Sequence, residues 1–78
     1  MRFDAPVAQV RPFVGPVMGQ LEPVDDGNAC LLTGTTDNPR MYAGEWLAAI
    51  PMPFRVLGDQ ELATAVTEVA ERLAQAVT

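Results

Sequence analysis

The chain has no histidine and no lysine, and only one cysteine among its 78 residues. Without histidine it lacks the commonest general base and metal ligand near neutral pH. Arginine is the only cation: five arginines face ten carboxylates, for a net charge of −5. Nucleic-acid backbones are held by clustered cations that release counterions, so direct nucleic-acid binding by this domain alone is not expected. A lone cysteine makes no disulfide framework. Cys30 lies in the apolar run Ala29-Cys30-Leu31-Leu32, and with no histidine to activate it a small core side chain is expected rather than a nucleophile. Long apolar runs are missing as well, which excludes a membrane span, and the start Met1-Arg2-Phe3-Asp4 lacks the apolar core of a signal peptide. These absences imply a soluble protein of a reducing cytoplasm.

What is present amounts to a single small domain, residues 1–78. A chain of this size buries only about 60% of its extended surface. With no disulfide or metal staple, stability is expected to draw on docking against another chain or domain.

Along the chain, Val7 to Phe13 alternates in part, with Ala8 and Val10 opposed to Gln9 and Arg11 and prolines at both ends; this predicts a first strand. Val14 to Gly19 has two glycines and predicts a short helix or loop begun at Pro16. Gln20 to Val24 and Ala29 to Gly34 flank Asp25-Asp26-Gly27-Asn28, whose Asp-Gly pair suits the positive backbone angles of a tight hairpin. Thr36-Asp37-Asn38-Pro39 supplies a cap and a first-turn proline for a helix that runs to Pro51, with Tyr42, Ala43, Trp46, Leu47 and Ile50 on one face. Pro51 and Pro53 then push the chain extended, predicting a short edge strand at Phe54 to Leu57. Asp59 caps a last helix in which Leu62, Val66, Val69, Leu73 and Ala76 recur at four-three-four-three spacing. The order predicts an α+β fold. It is a ferredoxin-like split β-α-β sandwich: a four-stranded antiparallel sheet with its helices on one face and an additional C-terminal helix. The uncovered face is then where a ligand or partner is expected.

The run Glu45-Trp46-Leu47-Ala48, then Pro53-Phe54-Arg55-Val56-Leu57 and Glu61-Leu62, closes on Val69-Ala70-Glu71-Arg72-Leu73-Ala74-Gln75-Ala76. This pattern resembles the C-terminal extension (WCX domain) that follows the WYL domain in bacterial transcriptional regulators. The opening strand and the Leu21-Glu22-Pro23 to Asp26-Gly27 hairpin are similar to it more weakly. Where that family carries a proline ahead of its Glu-Leu pair, this chain has Gly58-Asp59-Gln60, with Asp59 able to cap instead. The first helix is also shorter than usual. The resemblance implies a ferredoxin-like domain for oligomerisation, as a homodimer, and effector sensing in transcription regulation. DNA reading would fall to the winged-helix and WYL domains of a longer regulator, of which this chain would be the extension alone.

Candidate site residues follow from the predicted sheet. Arg11 on the first strand and Arg55 on the fourth would be neighbours on the uncovered face and, with Gln9, form a cationic patch suited to a small anionic effector. The alternative is that both arginines are solvated or paired with acids such as Glu22. Trp46 beside Tyr42 at helical spacing reads as core or interface packing before a base-stacking platform. Asp25-Asp26 with Asn28 lacks the oxygen spacing and closing glutamate of a calcium loop and is explained by turn chemistry. No cofactor, metal or catalytic group is expected, and the chain does not read as an enzyme. The competing function is a free-standing ACT-like module that binds an amino acid between paired domains.

Overall fold

Four antiparallel strands in the order β2-β3-β1-β4 make up the sheet of the computed structural model, which describes all 78 residues. The strands are β1 (Arg2–Phe3), β2 (Gln20–Val24), β3 (Ala29–Thr33) and β4 (Phe54–Arg55), with α1 (Val7–Val10), α2 (Pro39–Met41) and α3 (Gln60–Gln75) between and after them. The chain is thus α+β, with an open sheet and a C-terminal helix.

The strand expected over Val7 to Phe13 is not a strand. Pro6 enters extended (φ −63°, ψ 154°) and starts α1, where Gln9 and Val10 donate back to its carbonyl at 3.0 and 3.3 Å. Pro12 then sits in the first turn of a 3-10 segment, Arg11–Phe13. Val10 is fully buried, and Val7 and Val14 pack against the core beside it. The operative spacing is therefore three and four, which is helical. The first strand lies earlier, at Arg2–Phe3, where Phe3 is fully buried and pairs with Cys30 on one side and Phe54 on the other.

The hairpin is as the sequence implies, with Gln20 opposite Thr33 and Val24 opposite Ala29. Its turn takes three consecutive residues through the left-handed region: Asp25 (φ 55°), Asp26 (φ 56°) and Gly27 (φ 86°). Aspartate and glycine tolerate that conformation best. Behind the hairpin, Met18-Gly19 passes so close to Thr33-Gly34 that a Cβ on Gly19 would collide with the Thr33 carbonyl, and one on Gly34 with the Met18 carbonyl. Gly19 also has φ +133°.

The second crossover starts at the Asn38 cap, whose Oδ1 accepts from the Met41 amide at 3.2 Å with Pro39 in the first turn. It continues through a π turn, Tyr42–Trp46, and a 3-10 turn, Leu47–Ala49. Tyr42, Ala43, Leu47 and Ile50, four of the five residues expected on one face, are buried, and Trp46 is half-buried. Tyr42 and Trp46 meet edge-on with centroids 5.2 Å apart. The Tyr42 hydroxyl donates to the Met18 carbonyl at 2.7 Å, which satisfies both polar groups in the core.

One face of the sheet carries Phe3, Cys30 and Leu32 into a single cluster with Val10, Met18, Tyr42, Leu47, Leu62 and Ala65. Cys30 is fully buried there, and burial pushes its thiol up from the ordinary value. α3 begins at Asp59, whose Oδ1 accepts from the Leu62 amide at 3.0 Å. Only its first half contributes buried residues, Leu62 and Ala65. No helix is long and apolar enough to cross a membrane.

Candidate functional site

Strand alternation assigns the other face of the sheet. Cys30 and Leu32 point into the core, so Leu31 between them points away, as does Arg2 beside Phe3 and Arg55 beside Phe54. The ladder register sets these residues in one row across all four strands: Glu22 opposite Leu31, Leu31 opposite Arg2, and Arg2 opposite Arg55. No helical segment packs over this row, and Leu31 is not part of the core cluster. The row therefore runs from one acid through an apolar side chain to two adjacent guanidiniums.

The two arginines differ in their surroundings. Arg2 reaches Asp4 at 3.7 Å and Asp25 at 3.4 Å, both on the solvent side. Exposed pairs of this kind contribute little, typically about 0–1 kcal/mol each. The Asp25 pair ties the hairpin turn to the central strand. Arg55 makes no ion pair and stands opposite a like charge, an arrangement that costs a few tenths of a kcal/mol when the residues face each other across a ladder. A planar, permanently charged fork left without a partner suits a carboxylate or phosphate oxygen pair.

The site predicted from sequence is not assembled. Arg55 is where it was expected, on the uncovered face of an edge strand. Gln9 and Arg11 are not on a strand at all: Gln9 is exposed on α1, and Arg11 is exposed on the following turn beside Gln20 and Leu21 of β2. β2 and β4 are opposite edges of the sheet. Three strand spacings, roughly 14 Å, therefore lie between the edges that carry Arg11 and Arg55. The neighbour of Arg55 is Arg2, whose two-residue strand shows no alternation in the sequence.

The second notable surface belongs to α3. Leu62, Val66, Val69 and Leu73 form one stripe that starts buried at Leu62, 4% exposed, and ends open at Leu73, 55% exposed. Beside its outer half lies an apolar groove of about 170 Å³, bordered by Ala43, Ala48, Phe54, Val66, Ala70 and Leu73. On the far flank Arg40 pairs with Glu68 at 3.6 Å and links α2 to α3.

No protein-family model, no curated protein and no solved structure matches the chain.

Proposed function

We propose that the chain is the oligomerisation and effector-sensing module found at the C-terminus of WYL-type transcriptional regulators, working in the cytoplasm as a homodimer, with DNA contacts made by other domains and no catalysis of its own. In fold terms this is a ferredoxin-like split β-α-β sandwich. Support for that part comes from the central position of β1 and β3 and from the helical segments in both crossovers.

The observation that carries the functional reading is the graded stripe of α3. A helix that packs only onto its own domain buries its apolar face along its length, whereas this one leaves Leu73 55% exposed, and Val77, just past its end, is 86% exposed. Apolar side chains that continue a core stripe past the edge of the body favour a second apolar surface. A twofold mate offers the same stripe and the same groove, which is the self-complementarity an isologous contact requires. The effector part rests on Arg55, whose unpaired guanidinium on the uncovered face favours a small anion.

Sedimentation equilibrium of the chain and of Leu73→Glu tests the pairing. The expected result is a concentration-dependent dimer for the parent and a monomer with an unchanged circular dichroism spectrum for the variant. A parent that sediments as a monomer at every concentration overturns the reading. Calorimetry against free amino acids tests the effector class: tight binding by the isolated chain would instead favour an ACT-like amino-acid module.

A further inference from the structure

The two edges of the sheet differ in what they offer. The Asp4 amide donates to the Pro53 carbonyl at 3.0 Å, so Pro53 and Arg55 turn their main chain toward β1, while Met52, Phe54 and Val56 turn theirs outward. No strand lies beyond β4, and neither Met52 nor Val56 makes a main-chain hydrogen bond. The amide that Pro53 lacks would point inward, so the outward row of donors on β4 is complete. On β2 the outward positions are Leu21 and Pro23, because the Met1 and Leu32 bonds turn Leu32, and with it Cys30, toward β1. Pro23 has no donor to offer, and Arg11, Val14 and Gly15 lie beside Gln20 and Leu21. β4 is therefore the edge suited to take another strand.

A second copy of the chain supplies a strand of matching parity. Antiparallel pairing about a twofold axis could be centred at Arg55, Val56 or Phe54. Centred at Arg55 it sets two guanidiniums directly opposite each other, which is unfavourable. Centred at Val56 it sets Phe54 against Gly58 of the partner subunit, where a φ of +73° takes the chain out of the strand. Centred at Phe54, the two Phe54 residues exchange both main-chain bonds, Val56 meets Met52 of the partner subunit, and Arg55 meets Pro53 of the partner subunit. On the core side Phe54 borders the apolar groove with Val66, Ala70 and Leu73, so this register also brings the two grooves and the open ends of the two α3 stripes together. On the uncovered side the two Arg55 residues become diagonal neighbours about 7–8 Å apart, with Arg2 behind each across the β1–β4 ladder. Four guanidiniums then line one seam.

We propose that two copies join edge to edge through β4, about a twofold axis at Phe54, and that the seam of Arg2 and Arg55 from both copies binds a small anion carrying two or more charges. This rests on the module reading given above and puts its two parts, pairing and anion binding, at one site. Each copy alone offers half of the cluster. Bringing like charges together opposes pairing, and an anion that bridges them offsets the opposition, so anion binding and pairing strengthen each other. The edge bonds fix direction and register, and the α3 stripes contribute the apolar area.

The test runs sedimentation equilibrium on the chain and on Arg55→Gln, in sodium chloride and in inorganic pyrophosphate at equal ionic strength. Amide exchange at Phe54 and Val56 is followed by NMR over the same concentrations. Pyrophosphate is expected to lower the dimer dissociation constant of the parent about tenfold and to leave that of Arg55→Gln where it was. The Phe54 and Val56 amides are expected to exchange freely in dilute solution and to slow about tenfold or more as the dimer forms. A dimer in which both amides still exchange freely overturns the edge pairing and leaves the module reading standing. A pyrophosphate effect that is absent, or shared equally by Arg55→Gln, overturns the anion site. A chain that stays monomeric at every concentration, with and without pyrophosphate, sinks the module reading itself, so the failures are separable.

Discussion

Arg2 and Arg55 face each other across the β1–β4 ladder on the side of the sheet that no helix covers. The acids that attend this pair, Asp4 and Asp25, both serve Arg2. Replacing Arg55 with glutamine therefore removes a repulsion and no ion pair. In urea denaturation at low salt, Arg55→Gln is expected to leave stability unchanged or raise it by about 0.3 kcal/mol, with the gain screened away at high salt. A loss above about 1 kcal/mol would show that Arg55 has a structural partner.

Tyr42 closes the core by donating to the Met18 carbonyl. Tyr42→Phe keeps the ring and its edge contact with Trp46 but strands a buried acceptor. The expected cost is about 1–2 kcal/mol in unfolding free energy. The same change at an exposed tyrosine would be near neutral, so a result close to zero would place the hydroxyl in contact with solvent.

Two glycines offer the same substitution with opposite outcomes. Gly19→Ala drives a Cβ into the Thr33 carbonyl from a backbone angle that disfavours any side chain, and about 3 kcal/mol of destabilisation is expected. At Gly15 the added carbon meets nothing within 4 Å and φ is −83°. Gly15→Ala is therefore expected to be neutral or to stabilise by up to about 1 kcal/mol through the unfolded chain. Thermal melts of the two variants side by side give the comparison.

Burial pushes the Cys30 thiol and the Tyr42 phenol up from ordinary values of 9.0 and 10.0. The folded chain holds these protons more tightly than the unfolded one. The associated stability is thus complete below the unfolded values and is lost as pH rises through them toward the folded values. Urea midpoints should decline from about pH 9 upward, and in Tyr42→Phe the later part of that decline should vanish. Midpoints constant to about pH 11 would mean that neither group is protected from water.

How far the fold was legible depended on whether local chemistry acted alone. Asp59 capping α3, Asn38 and Pro39 opening the second crossover, and Asp-Gly in the hairpin turn are short-range signals, and each stands where the residues imply. Val7 to Phe13 is ambiguous because two prolines fit a strand edge as well as a helical first turn. Only the burial of Val10, a tertiary fact, decides between them. β1 was invisible for another reason: Phe3 is a strand residue because Cys30 and Phe54 lie on either side of it, and two residues carry no period. The candidate site depends on the same fact. Arg55 is placed by its own alternation, but its neighbour depends on which segment occupies the centre of the sheet, and there Arg2 stands instead of the expected Arg11.

From Ala70 onward the side chains of α3 are exposed, while the cap at Asp59 and the buried Leu62 and Ala65 anchor its beginning. On the proposed pairing, folding and association are written into different turns of one rod. A bulky reporter joined at the far turn would then keep two molecules apart, so that the melting curve loses its dependence on concentration and reports the fold of the single chain.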